Sequence, residues 1–127
     1  MKGIVRSDAA PAAVGPYSQA VRAGDFLFIS GQLGIDPSTK KMVEGGIASQ
    51  AERALANVTA ILEAAGASMN AVVKTTVLLQ SMDDFARLNE VYARFFHEDP
   101  PARATYQVGR LPLGALVEIE AIVYLGR

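Results

Sequence analysis

Strands that are apolar on both faces constrain this chain more than any other feature of its sequence. Asp25–Gln32 reads DFLFISGQ, rich in the aromatic and β-branched residues that suit a strand. Its alternating sets, Phe26-Phe28-Ser30 and Leu27-Ile29-Gly31, are both largely apolar, and VVKTTVLL (Val72–Leu79) shows the same doubling. Strands of this kind need cover on both sides of their sheet. Only two stretches have a helical period. In Ile47–Ala65 the residues Ala51, Leu55, Val58 and Leu62 recur on one face, and Gly66 supplies a C-terminal cap. In Ser81–Phe96 the stripe is Phe85, Leu88, Tyr92 and Phe95, with Ser81 or Asp83 as N-cap and Pro100-Pro101 as a stop. Two helices cover one face of a sheet. The other face is expected to meet a partner subunit; a loop folded across it is the alternative, but no long loop is available.

The remaining strands complete the outline. Residues 1–16 are small and Pro-rich, an extended or irregular arm that begins with a short strand. A second strand is expected within 17–24, and Asp36-Pro37-Ser38-Thr39-Lys40 reads as a turn. Two last strands, near 102–109 and 115–125, are joined by a turn around Leu111-Pro112-Leu113-Gly114 and read as a hairpin. The order is β-β-β-α-β-α-β-β. That gives one α+β domain over residues 1–127, its sheet mixed or mostly antiparallel.

Composition narrows the chemistry. There is no cysteine, which excludes disulfide scaffolds, thiolate zinc sites and cysteine nucleophiles. One histidine, His97, gives little support to a Ser/His/Asp arrangement and has no second ligand for a metal site. It reads as a cation capping the end of the second helix. The net charge of −1 is spread along the chain, so the basic stripe that a nucleic-acid partner requires is missing. No apolar run is long enough to span a membrane, and the N-terminus lacks a signal-peptide core. A cytoplasmic protein is expected. The glycines form neither GxGxxG nor a P-loop, which leaves nucleotide binding unsupported.

Three charges stand out because they lie in segments otherwise apolar enough for a core: Arg103, Glu118 and Glu120. A charge in such a place costs several kcal/mol unless it is paired or used. Arg103 follows the stiff Pro100-Pro101 approach, and its planar fork suits a carboxylate. A salt bridge to Glu118 or Glu120 is one account of it and a ligand carboxylate is another. Glu118 and Glu120 share a strand face roughly 7 Å apart. One could serve as a base or orient water, or both could be rim carboxylates. Two carboxylates facing the same way do not suit glycosidase work. Asn89 interrupts the stripe of the second helix, and Tyr17 with Ser18 follows a Gly15-Pro16 turn. In Ser30-Gly31-Gln32 the glycine permits close backbone approach or marks a bulge. Taken singly, each of these also has a purely structural reading.

Taken in order they form long motifs: GPYSQAV (Gly15–Val21), FISGQLGIDP (Phe28–Pro37), AERALANVTAILEAAG (Ala51–Gly66), VVKTTVLL, DDFARLNEVYARFF (Asp83–Phe96), PARATYQVGRLP (Pro101–Pro112) and VEIEAIV (Val117–Val123). On these, nearly the whole chain resembles the RidA family, also called YjgF or UK114. The resemblance implies a chorismate-mutase-like α+β fold. It also implies a homotrimer whose sheets pack around a central barrel, with clefts between subunits. It implies hydrolysis of 2-imino acids and their enamine tautomers, such as 2-iminobutanoate and 2-iminopropanoate, to 2-oxo acids and ammonia, without a cofactor or metal. The role would be control of metabolite damage. By the same resemblance Arg103 binds the substrate carboxylate and Glu118 holds the attacking water, with Glu120 secondary. Tyr17, Ser30 and Asn89 line the cleft, the Gly31 backbone N–H lies near the substrate, and the Thr105 carbonyl accepts from the imine nitrogen. Many bacterial members carry cysteine where Thr105 stands, so a thiol-based property is not expected here. His97-Glu98-Asp99-Pro100 is shorter than in some relatives, which bears on the outer wall of the cleft. A metabolite sensor using the Arg103 cleft without turnover is the competing class. The family's older association with endoribonuclease activity and translation inhibition fits poorly with the net charge.

Overall fold

Alternation along the last strand organises the molecule. The computed structural model describes residues 1–126. In it β8 (Val117–Tyr124) buries Val117, Ile119, Ala121 and Val123, while Glu118, Glu120, Ile122 and Tyr124 face the other way. The buried set packs under α1 (Ile47–Ala64), whose Leu55, Val58, Ile61 and Leu62 are fully buried in the same cluster. Each such side chain contributes about 1.5–3 kcal/mol by leaving water. α1 closes where expected. Gly66 has φ 77°, and the N–H groups of Gly66 and Ala67 donate to the Glu63 and Leu62 carbonyls. That is a Schellman cap, and its left-handed residue suits glycine.

β1 (Lys2–Val5), β2 (Ala20–Ala23) and β3 (Phe26–Gln32) form an antiparallel meander that continues into β8. β6 (Val72–Leu79) pairs antiparallel with the other side of β8. β7 (Ala102–Gln107) pairs parallel with β6 at the edge, so the sheet runs β1-β2-β3-β8-β6-β7. α2 (Phe85–Phe95) lies in the crossover between β6 and β7. The expected hairpin between the last two strands is therefore not formed, because β6 stands between them. A β–α–β crossover places its strands parallel and adjacent. The segment from β7 then steps around the end of β6 through a 3₁₀ turn at Pro112–Gly114.

Other differences are local. The turn at residues 36–40 belongs to a two-stranded ribbon, β4 (Ile35–Asp36) with β5 (Lys41–Met42), too short to show as strands in sequence. Asp36 Oδ1 accepts from the Ser38 N–H and hydroxyl, which holds its carboxyl below the ordinary range. Ser81 caps a 3₁₀ turn, Met82–Asp84, rather than α2 itself. Phe96, not His97, is the C-cap of α2, and its N–H donates to the Tyr92 carbonyl. His97 lies exposed one residue beyond.

Both helices pack on one face of the sheet. The opposite face carries Ile4, Phe26, Phe28, Tyr106 and Tyr124, each more than a third exposed. Phe26 and Tyr124 stack across β3 and β8 at 5.4 Å. The uncovered apolar face expected from the sequence is thus present, and among the described residues no loop covers these rings.

Candidate active site

The residues singled out in the sequence gather into two groups on opposite faces of the sheet. The first surrounds Glu118. The pairing of β3 with β8 is irregular between Ile29 and Gln32, which places Ser30 and Gly31 at a bulge. There the Glu118 side chain lies directly on Gly31, occupying the space that a Cβ at that position would fill. A side chain at residue 31 would displace the Glu118 carboxylate from this position, so the glycine leaves room for it. The Ser30 N–H donates to the Gln19 carbonyl at 2.9 Å, and the Ser30 hydroxyl donates to the Ser18 carbonyl at 2.6 Å. That hydroxyl proton is engaged, so Ser30 Oγ is left with acceptor capacity. Tyr17 adjoins this segment, half exposed, after a Gly15-Pro16 turn in which its N–H donates to the Gly15 carbonyl. Burial raises the Glu118 carboxyl above its ordinary range, and the neighbouring charge of Glu120 adds to the effect.

The second group surrounds Arg103 on the helix face. Arg103 lies opposite Thr75 in the β6–β7 ladder, and Thr75 lies opposite Ala121 of β8. Its Nη1 donates to Asn89 Oδ1 at 2.8 Å. The guanidinium carbon sits 4.7 Å from the Tyr92 ring centroid and 5.6 Å from that of Phe85. Phe85, Asn89 and Tyr92 are spaced i, i+4, i+7, so one stripe of α2 forms a cradle for the arginine. Thr105 continues the same strand face. Its Oγ1 is buried and has no hydrogen-bond partner among the described residues.

The salt bridge considered for Arg103 is not formed. Among the described residues the ion pairs are Arg87–Glu90 and Arg94–Glu52, both at the surface, and Arg103 meets no carboxylate. Pairing within the chain is blocked by the sheet itself. Glu118 lies opposite Leu78 and Arg103 opposite Thr75, three rows away, which is roughly 10 Å along the strand and on the other face. Glu120 is exposed on the open face, in a depression lined also by Phe28, Lys74, Thr76 and Ile122.

Sequence reasoning placed Phe85 and Tyr92 in the α2 stripe as packing residues and missed that they flank Arg103. Their spacing from Asn89 was the available signal. Among the described residues no cluster of three metal-ligating side chains occurs, and no helix is long and apolar enough to cross a membrane.

Comparison with known proteins gives this arrangement its context. The family model "Endoribonuclease L-PSP" matches residues 7–125. A RutC family protein of Pyrococcus horikoshii is 54% identical over 98% of this chain and 98% of its own. The mouse protein named 2-iminobutanoate/2-iminopropanoate deaminase is 51% identical over 99% of this chain and 93% of its own. The crystal structure of RidA from an Antarctic Psychrobacter superposes with a TM-score of 0.93 at 52% identity, covering 96% of this chain and 98% of that one. With the motifs, the fold and the family model in agreement over nearly its whole length, the chain belongs to the endoribonuclease L-PSP family, the RidA (YjgF/UK114) family.

Proposed function

We propose that this protein is a 2-imino acid deaminase that works as a homotrimer, each site shared between two copies. One observation carries the reading: Arg103 is held by Asn89 and two aromatic rings, yet has no carboxylate partner among the described residues. A fork fixed in this way is prepared for a carboxylate that arrives from outside. Names of relatives at about half identity support the same class, since the mouse relative is named for this reaction.

Within one chain Arg103 and Glu118 point away from each other, so one substrate cannot touch both. A neighbouring copy packed on the open face brings its Glu118 group to the β7 edge of the first. The exposed Phe26, Phe28, Tyr106 and Tyr124 supply the apolar surface for that packing. In the assembled cleft Arg103 clamps the substrate carboxylate and Asn89, whose Oδ1 is taken by Arg103, donates its amide N–H beside it. Thr105 lies on an edge strand and offers its carbonyl to the imine N–H. Tyr17, Ser30 and Gly31 of the next copy line the opposite wall.

The reaction then needs only water. With the substrate nitrogen protonated as an iminium, Glu118 takes a proton as the water oxygen bonds to C2, and the C=N π electrons neutralise the nitrogen to give a carbinolamine. Glu118 passes that proton to the amine nitrogen, then takes the hydroxyl proton as the C–N bond breaks, so ammonia leaves and the 2-oxo acid remains. A raised Glu118 pKa suits it to both proton transfers. The cleft also strengthens the attraction between Arg103 and the carboxylate.

The test is ammonia release from an imine generated in situ, with a titration of 2-oxobutanoate alongside. Arg103→Ala should cut turnover at least 100-fold and abolish 2-oxobutanoate binding. Unchanged turnover in that variant overturns the mechanism. Tight binding by the native protein without turnover would make it a sensor instead.

A further inference from the structure

Arg103 can act as a clamp only if its long side chain is held before the substrate arrives, and the structure shows how this is done. Tyr92, 6% exposed, lies beneath the guanidinium. Its hydroxyl shares a 2.6 Å hydrogen bond with Thr75 Oγ1, and Thr75 is 1% exposed. Thr75 is also the residue opposite Arg103 in the β6–β7 ladder. The three side chains therefore close a circuit from strand to helix to arginine and back to the strand. Tyr92 also packs against Phe96, whose ring centroid is 4.6 Å away.

A phenylalanine over a valine would fill this space without burying two hydroxyls, and a polar pair of this kind adds little net stability over an apolar one. Its physical effect is directional: it fixes the tilt and height of the ring on which the guanidinium rests. We propose that Tyr92 and Thr75 are positioning residues that set the plane of the Arg103 fork for a carboxylate. Neither needs to touch the substrate. Burial pushes the Tyr92 phenol up, so it serves as a neutral hydroxyl. The inference rests on Arg103 being the carboxylate clamp.

The experiment compares Tyr92→Phe, Thr75→Val and Tyr92→Leu by their Kd for 2-oxobutanoate, with imine turnover recorded beside it and all measured well below each variant's Tm. Tyr92→Phe keeps the ring and loses the tether, so its Kd should weaken about 2- to 4-fold. Thr75→Val should match it, although Thr75 lies buried under the helix. Tyr92→Leu also loses the cation–π contact and should weaken binding about 5- to 10-fold. In turnover the change should fall on KM more than on kcat. A folded Tyr92→Leu with native Kd overturns the proposal. If that variant does not fold, native Kd in both Tyr92→Phe and Thr75→Val overturns it equally. Native protein that binds 2-oxobutanoate without turnover would sink the deaminase reading and leave this one standing, whereas native protein that binds no 2-oxo acid would sink both.

Discussion

The two faces of the sheet are built from the same strands and reach different ends. On the helix side Val117, Ile119, Ala121 and Val123 meet α1 and are fully or almost fully buried. On the other side Tyr124 of the same strand, with Phe26 and Phe28, stays more than a third exposed, Phe26 and Tyr124 meeting ring to ring across the face they share. The first face is finished by local means, because each helix is tied to the strands beside it by a short connection. The second is apolar without cover from the helices, and in the proposed trimer a neighbouring copy would complete it. The site follows the same division. Arg103 belongs to the closed face and Glu118 to the open one, so chemistry that needs both depends on closing the second face.

The comparison can be broken at either face. The largest effect is expected on the open side: Phe28→Asp should leave each chain folded and reduce the proposed trimer to single chains, with loss of the proposed imine turnover. Light scattering with circular dichroism checks this, and a variant that stays trimeric contradicts the interface. Next is the closed face, where Ile119→Ala should destabilise by about 2–5 kcal/mol through lost burial and a cavity. Denaturant unfolding measures it; a cost well under 1 kcal/mol would mean that this face is no better packed than the other. The smallest effect concerns Glu118. Its carboxyl is raised in the folded chain, so ionising it opposes folding. Stability from this group is full below the unfolded carboxyl range and is lost as pH rises through the raised value. Glu118→Gln should therefore raise Tm modestly at pH 7 and not at pH 4. An equal change at both pH values would remove burial as the cause.

Much of the fold was legible because its signals are local. Helical period marked α1 and α2 to within a few residues, and Gly66 closed α1 as its position suggests. The pattern of Val117–Tyr124 also showed which side chains of β8 are buried. Strand pairing was not legible in the same way. Pro112-Leu113-Gly114 makes a turn, as the residues predict, but a turn does not state which strand lies beside it, and β6 occupies the place of the expected neighbour. Buried amides were also silent. Asn57, fully buried, donates to the Leu33 and Ile35 carbonyls, and Gln19 ties the N-terminal arm through the Ser7 and Pro11 carbonyls. In sequence, such residues look like ordinary surface polar groups.

For the site, the sequence by itself determined the parts. It marked Arg103, Glu118 and Glu120 as charges out of place, Asn89 as a break in an apolar stripe, and Gly31 as a point of close approach or a bulge. It also showed the doubly apolar strands that two helices can cover on one side only. The tertiary structure alone decided that Glu118 lies on Gly31, that α2 sets two rings beside Arg103, and that the two charges sit on opposite faces. The reason is physical. Side-chain alternation and helical period are properties of neighbouring residues, readable along the chain. Which face of a sheet a strand's odd residues share with another strand depends on pairing and register between distant segments, and these are set only when the crossover helix packs and the whole sheet closes on its core.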